Sequence, residues 1–122
     1  MRGPLRILFD HCVPRPLKHF LPEHEIATTY ERGWAAYKNG ELLDAAQAEF
    51  DVFLTTDQNL PYQQNVAVRS IALGVLVADS NRVAAPTPLL PYLTPVLGRI
   101  RPGEIVRVEL PAALNVAADS TP

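Results

Sequence analysis

Val52-Phe53-Leu54-Thr55-Thr56-Asp57-Gln58-Asn59-Leu60 is the stretch on which the fold turns. Three apolar residues and two threonines carry none of the polar alternation of a half-exposed strand, so the run predicts a strand buried on both faces of a parallel sheet. Asp57 closes it. Open α/β sheets bind their ligands in the crevice beyond the carboxyl ends of the strands, which makes an acid there the first candidate for chemistry. Working outward, Leu5–Asp10 has the same form, an apolar run ending on an acid, and is read as the first strand. Ile71–Ala78 is a third buried-type run, followed by Asp79-Ser80-Asn81-Arg82. His24–Tyr30, with Ile26 and the β-branched Thr28 and Thr29, predicts a weaker strand. Glu104–Leu110 alternates Ile105, Val106, Val108 and Leu110 with Arg107 and Glu109 and reads as an edge strand.

Helical patterns separate these runs. Pro14 and Pro16 suit a first helical turn, where the missing N–H has no partner to lose, and Leu17, Phe20 and Leu21 share a face until Pro22 ends it. Glu31–Lys38 reads as a loop in which Trp34 packs over the core. Asn39 is a good N-cap for a helix over Gly40–Phe50 that sets Leu42, Leu43, Ala46 and Phe50 against a sheet. Asn59–Asn65 suits a short helix or a loop lining the crevice, and Pro86–Ile100 carries a helical apolar stripe whose helix begins near Pro91. Strands alternating with helices predict β-α-β units: a three-layer α/β/α sandwich around a mostly parallel sheet. Residues 1–110 are read as one domain and residues 111–122 as a flexible tail.

Composition narrows the function classes. With 48% hydrophobic and 20% charged residues the chain is globular rather than disordered. No apolar run approaches the ~20 residues of a bilayer span and no signal-peptide core opens the chain, so a cytoplasmic protein is expected. The net charge of -2 argues against binding nucleic acid by bulk attraction while leaving room for a local basic rim. Cys12 stands alone, and His11, His19 and His24 make with it no zinc-site spacing. Neither a glycine-rich phosphate loop nor a G-x-S-x-G elbow is present, and a phosphoryl-accepting receiver would need a lysine near the last strand, where there is none.

The acids remain. In a β-α-β architecture Asp10, Asp57 and Asp79 leave strand ends on one side of the sheet, and Glu41, at a helix start, lies on that side too. Glu41 and Asp44 also suit the positive end of a helix dipole, and Asp44 reads as a solvated residue. Repulsion between clustered carboxylates is relieved by protonation or by a hard divalent cation, and all-oxygen ligation suits Mg²⁺ or Mn²⁺. Such an ion polarises a phosphodiester and generates a hydroxide nucleophile, so metal-dependent phosphodiester hydrolysis is a coherent reading.

Leu8-Phe9-Asp10-His11-Cys12-Val13-Pro14-Arg15, Gly33-Trp34, Lys38-Asn39-Gly40-Glu41-Leu42-Leu43, Phe53–Leu60 and Ser80-Asn81-Arg82 together resemble the compact bacterial PIN-like proteins, relatives of the VapC-like toxin ribonucleases. The similarity runs from the first strand through the last. It implies a PIN-like fold, an Mg²⁺- or Mn²⁺-dependent acidic site that cuts RNA, and a toxin paired with a small helix-turn-helix antitoxin; a homodimer is an admissible assembly. Carried over by position, Asp10 and Asp57 would ligand the metal and Glu41 would bind it directly or through water. Asn59 would orient the site, and Arg82, Lys38 and Arg15 would meet phosphate. Family members commonly carry a second acid directly after the first aspartate, and here that position is His11. This departure supports the alternative, a catalytically impaired PIN-like module that binds RNA or protein.

Overall fold

The structure, a computed structural model, describes residues 4–13, 15–77 and 90–108 of the 122-residue chain. The apolar runs become five strands, β1 (Arg6–Phe9), β2 (Glu25–Thr28), β3 (Val52–Thr55), β4 (Ala72–Leu76) and β5 (Ile105–Val108). All four pairings are parallel, in the order β2-β1-β3-β4-β5. The sheet is therefore wholly parallel. From β1 the chain steps to one side for β2 and then returns to the other side for β3, so the strand order reverses direction at β1.

Alternation along the strands builds two cores. Ile7 and Phe9 of β1, Val52 and Leu54 of β3 and Ala72 and Leu76 of β4 point to one face. There they meet Leu17 of a 3₁₀ helix (Arg15–Phe20) and Leu93, Val96 and Leu97 of a helix over Leu90–Leu97. Leu8, Phe53, Leu73 and Val75 point to the opposite face, under Leu42, Leu43 and Ala46 of the helix α1 (Asn39–Ala46) and Leu60 of the short helix α2 (Leu60–Gln63). The Leu90–Leu97 helix is α3. Helical segments thus cover both faces, giving the three-layer α/β/α sandwich expected from the sequence. Burial on both sides explains the unbroken apolar runs of β3 and β4, every residue of which is buried. Gly74 stands at the centre of β4 because a Cβ there would lie 2.5 Å from Leu54 Cδ2.

Two elements differ in detail from the sequence reading. The segment after Pro14 is a 3₁₀ rather than an α-helix, a form suited to a six-residue connector. Helix α1 starts at Asn39 itself, with Lys38 as N-cap, because the Glu41 carboxylate reaches back to accept the Lys38 backbone N–H at 3.2 Å. That helix ends at Ala46 rather than Phe50. Glu49 N–H bonds to the Ala46 carbonyl three residues back, tightening the last turn and bringing Phe50 onto the core. Trp34 packs on the α1 face as expected, edge-on to Phe50. Helix α3 does start near Pro91, and it holds Pro95 within it.

Strand β2 lies at the border of the sheet, and a turn closes most of its open edge. Thr28 N–H donates to Glu31 Oε1 at 2.9 Å, Arg32 N–H donates to the Thr28 carbonyl at 3.1 Å, and Glu31 N–H donates to Thr28 Oγ1. Glu25 and Thr29 donate their N–H groups to β1, so alternation leaves Ile26 as the one outward-facing residue of the strand not held by that turn. Among the described residues no helix is long and apolar enough to cross a membrane. Asp79, Ser80, Asn81, Arg82, the Pro86 start of the apolar stripe and the tail over 111–122 lie outside the described residues.

Candidate functional site

The carboxyl ends of β1 and β3 are adjacent, and the ladder continues one residue beyond the strands: Asp10 N–H donates to the Leu54 carbonyl at 2.9 Å and Thr29 N–H to the Phe9 carbonyl at 3.1 Å. Phe9 pairs with Thr28 on one side and with Leu54 on the other. One residue further, Thr29, Asp10 and Thr55 lie in a row across three strands. Since Phe9 and Leu54 face the α3 side, these three turn toward the α1 side.

Asp10 is 4% exposed, and a buried carboxylate needs donors. It has them on both oxygens. Thr55 Oγ1 donates to Oδ2 at 2.8 Å, His11 N–H donates to Oδ1 at 2.8 Å, and the His11 ring Nδ1 lies 3.0 Å from Oδ1. The Cys12 thiol lies 3.5 Å from Oδ2 and 3.4 Å from Thr55 Oγ1, and its sulfur accepts the Thr56 N–H. Asp57 stands two residues past β3. Its N–H donates to the same Thr55 Oγ1 at 3.0 Å, and its own Oδ1 accepts the Asn59 N–H at 2.9 Å in an Asx turn. A single hydroxyl thus ties the Asp10 carboxylate to the backbone that carries Asp57.

The other expected site residues are placed less centrally. Glu41 is exposed on the first turn of α1, with its carboxylate on the Lys38 N–H, so the helix-start role read for it from sequence is filled. Asn59 and Lys38 are exposed at the starts of α2 and α1. Arg15 begins the 3₁₀ helix and acts electrostatically on Glu31. Asp44 is exposed and pairs with Arg69, whose guanidinium also donates to the Asn65 carbonyl at 2.8 Å. Among the described residues no three or more His, Cys, Asp and Glu side chains form a group that could hold a metal ion.

Of the acids expected from sequence, Asp10 and Asp57 leave the ends of adjacent strands, joined through the Thr55 hydroxyl. Mg²⁺ takes one or two carboxylates and fills the rest of its shell with water and substrate oxygens. Asp10 and Asp57 supply two acids, and Thr29 Oγ1, beside Asp10, is a buried hydroxyl with no hydrogen-bond partner. That orphan is unexpected, because buried polar groups are almost always paired.

Several residues here escaped the sequence reading. Thr29 and Thr55 passed as strand formers, and Cys12 as a lone cysteine outside any zinc-site spacing. A signal did exist: the two strands that flank β1 both close on a Thr-Thr pair, Thr28-Thr29 and Thr55-Thr56. Tyr62 and Arg107 were also passed over. Tyr62, on α2, is 80% exposed, and the Arg107 guanidinium of β5 lies 5.7 Å from its ring centre, donates to its hydroxyl at 3.1 Å and reaches the Gln58 carbonyl. Comparison with protein-family models, with curated proteins and with solved structures finds no match to this chain.

Proposed function

We propose that the chain is a PIN-like, Mg²⁺- or Mn²⁺-dependent endoribonuclease, acting in the cytoplasm as the toxin of a toxin–antitoxin pair. The observation that carries the reading is the Asp10–Thr55–Asp57 link at the carboxyl ends of neighbouring parallel strands, at the strand where the order reverses. Crevices at such points are where open α/β sheets bind ligands. Asp10 and Asp57 would hold the cation, and Glu41 would act through water. Asp10 and Asp57 would thereby set in place the chemistry such a cation supplies when bound, activation of a water and neutralisation of charge on the leaving oxygen.

The protein's own residues do the positioning. The Thr55 hydroxyl fixes Asp10 Oδ2, and the Asx turn to Asn59 fixes Asp57. Lys38, Arg15 and Arg82 would meet phosphate. The exposed Tyr62 ring, backed by Arg107, suits the stacking of an unpaired base and so supports a single-stranded substrate. A small helix-turn-helix antitoxin would be the partner and a homodimer the assembly. The test is cleavage of single-stranded RNA by purified protein with Mn²⁺ or Mg²⁺, abolished by chelator and by Asp10→Asn or Asp57→Asn. Full activity in both variants would sink the assignment.

One observation favours a second reading, a PIN-like module without catalysis that binds RNA or protein. His11 occupies the position of a second acid, and the Glu41 carboxylate is engaged with the Lys38 N–H. Calorimetric titration separates the two: absence of Mn²⁺ binding at millimolar metal is the outcome expected of the module.

A further inference from the structure

A cavity of about 180 Å³ opens at the amino ends of β1 and β2, lined by Arg6, Glu25, Ile26, Ala27, Arg32 and Phe50. It lies at the end of these strands away from Asp10 and Asp57. Alternation explains its walls. Arg6, Glu25 and Ala27 share the α1 side of the sheet with Leu8, while Ile26 packs its side chain on the α3 side and brings its backbone to the cavity. Ala27 is small, so space remains beneath the Phe50 ring. A cavity of roughly 150 Å³ already accepts benzene, and a single-ring group therefore fits.

The polar groups around that space are unused. The Phe50 ring centre lies 5.4 Å from the Arg6 guanidinium carbon and 5.7 Å from that of Arg32. Arg32 is held further by Glu49 and by the Trp34 ring at 4.9 Å. Arg6 faces only a Glu25 carboxylate at 4.0 Å, beyond hydrogen-bond reach, so among the described residues its guanidinium makes no hydrogen bond. That Glu25 side chain is 79% exposed. Ile26 adds a backbone N–H without a partner, because the ladder to β1 uses Glu25, Ala27 and Thr29.

We propose that this cavity binds a small planar monocarboxylate, its carboxylate taken by the Arg6 guanidinium and the Ile26 N–H and its body lying against Phe50 over Ala27. Arginine presents a rigid fork of donors that matches a carboxylate. Glu25 shows what the fork draws: it is a loosely held internal carboxylate that the ligand displaces. A polyanion such as RNA is disfavoured, since Glu25, Glu49 and Asp51 set negative charge around the two arginines. The site is thus independent of the nuclease reading.

Benzoate is the probe, titrated into the full chain and followed by the backbone amide shifts of Ile26 and Ala27. The wild type is expected to bind it at roughly millimolar strength, as suits so small a ligand. Arg6→Met, which keeps a stem on Phe50 and loses the fork, is expected to weaken binding about tenfold or more. Glu25→Gln removes the competing carboxylate and is expected to tighten binding about two- to fivefold. Benzamide, of the same shape without the charge, is expected to bind about tenfold more weakly than benzoate. The last two comparisons leave Arg6 intact, so they hold even where Arg6→Met fails to fold. The assignment is overturned by benzamide binding as well as benzoate, by Glu25→Gln weakening the affinity, by a folded Arg6→Met binding as tightly as the wild type, or by benzoate leaving the Ile26 amide unmoved.

Discussion

The two ends of the same strands handle their polar atoms in opposite ways. At the amino ends the acids and the ring serve the local backbone and each other. Asp51 Oδ2 accepts the Arg6 N–H at 2.9 Å, His24 Nδ1 accepts the Leu5 N–H at 3.0 Å, and Arg6 pairs with Glu25. Arg6 and Arg32 lie over the Phe50 ring beside an open cavity of about 180 Å³, and Arg32 also pairs with Glu49. At the carboxyl ends the acid is buried, its donors converge from three residues, and a hydroxyl beside it is left over. Asp51 and Asp10 are the same residue type one step outside a strand. Asp51 is exposed and closes a backbone gap, whereas Asp10 is buried and needs the donors that meet both its oxygens. Among the described residues that arrangement lies at the carboxyl ends, the end to which the proposed function assigns the chemistry.

The sharpest way to break this contrast is by charge removal at each end. Asp10→Asn is expected to lower the proposed metal-dependent RNA cleavage by about a hundredfold or more, while Asp51→Asn leaves the rate unchanged; equal losses in a cleavage time course would erase the distinction. Next in size is Thr55→Val, which strips the buried carboxylate of a donor. It is expected to cost about 1.5–3 kcal/mol in urea unfolding, against about 0.5–1.5 kcal/mol for Asp51→Ala, which removes one exposed acceptor. A smaller effect belongs to the aromatic cluster, where Arg32→Met, which keeps the bulk of the stem but not the charge, should cost about 0.5–1 kcal/mol.

The smallest expected effect is a pH dependence at Glu31. The Thr28 backbone N–H, opposed in part by burial, and the nearby Lys18 charge hold its carboxyl below the ordinary value of 4.5. A carboxyl lowered on folding adds stability above its unfolded value of 4.5, and that increment is lost as the pH falls through the folded value. Wild type and Glu31→Gln should therefore differ in melting temperature near neutrality and converge in acid; a gap that widens in acid contradicts the assignment.

The apolar runs of β1, β3 and β4 were legible because burial on both faces leaves an unmistakable continuous pattern, and the closing acids Asp10 and Asp57 stood out against it. Helix α1 was legible in type but not at its ends. The acceptor that capped it came from Glu41 rather than from the residue before the helix, a choice that depends on how the loop arrives. The row Thr29–Asp10–Thr55 could not be read, because it is made by lateral register between three strands far apart in the chain, and a threonine at a strand end looks the same whether its hydroxyl is used or idle. Tyr62 and Arg107 meet for a similar reason: α2 and β5 are neighbours only once the sheet has formed.

The turn from Thr28 to Arg32 has one more effect. Edge-to-edge growth of sheets between molecules begins on a row of free backbone N–H and C=O groups. On β2 that row has been cut to the single residue Ile26, with the Glu31 carboxylate and the Arg32 N–H already seated where an incoming strand would bind. Amyloid-like stacking from this side of the sheet must first melt that turn, so resistance to such aggregation is set by three local hydrogen bonds rather than by the stability of the whole fold.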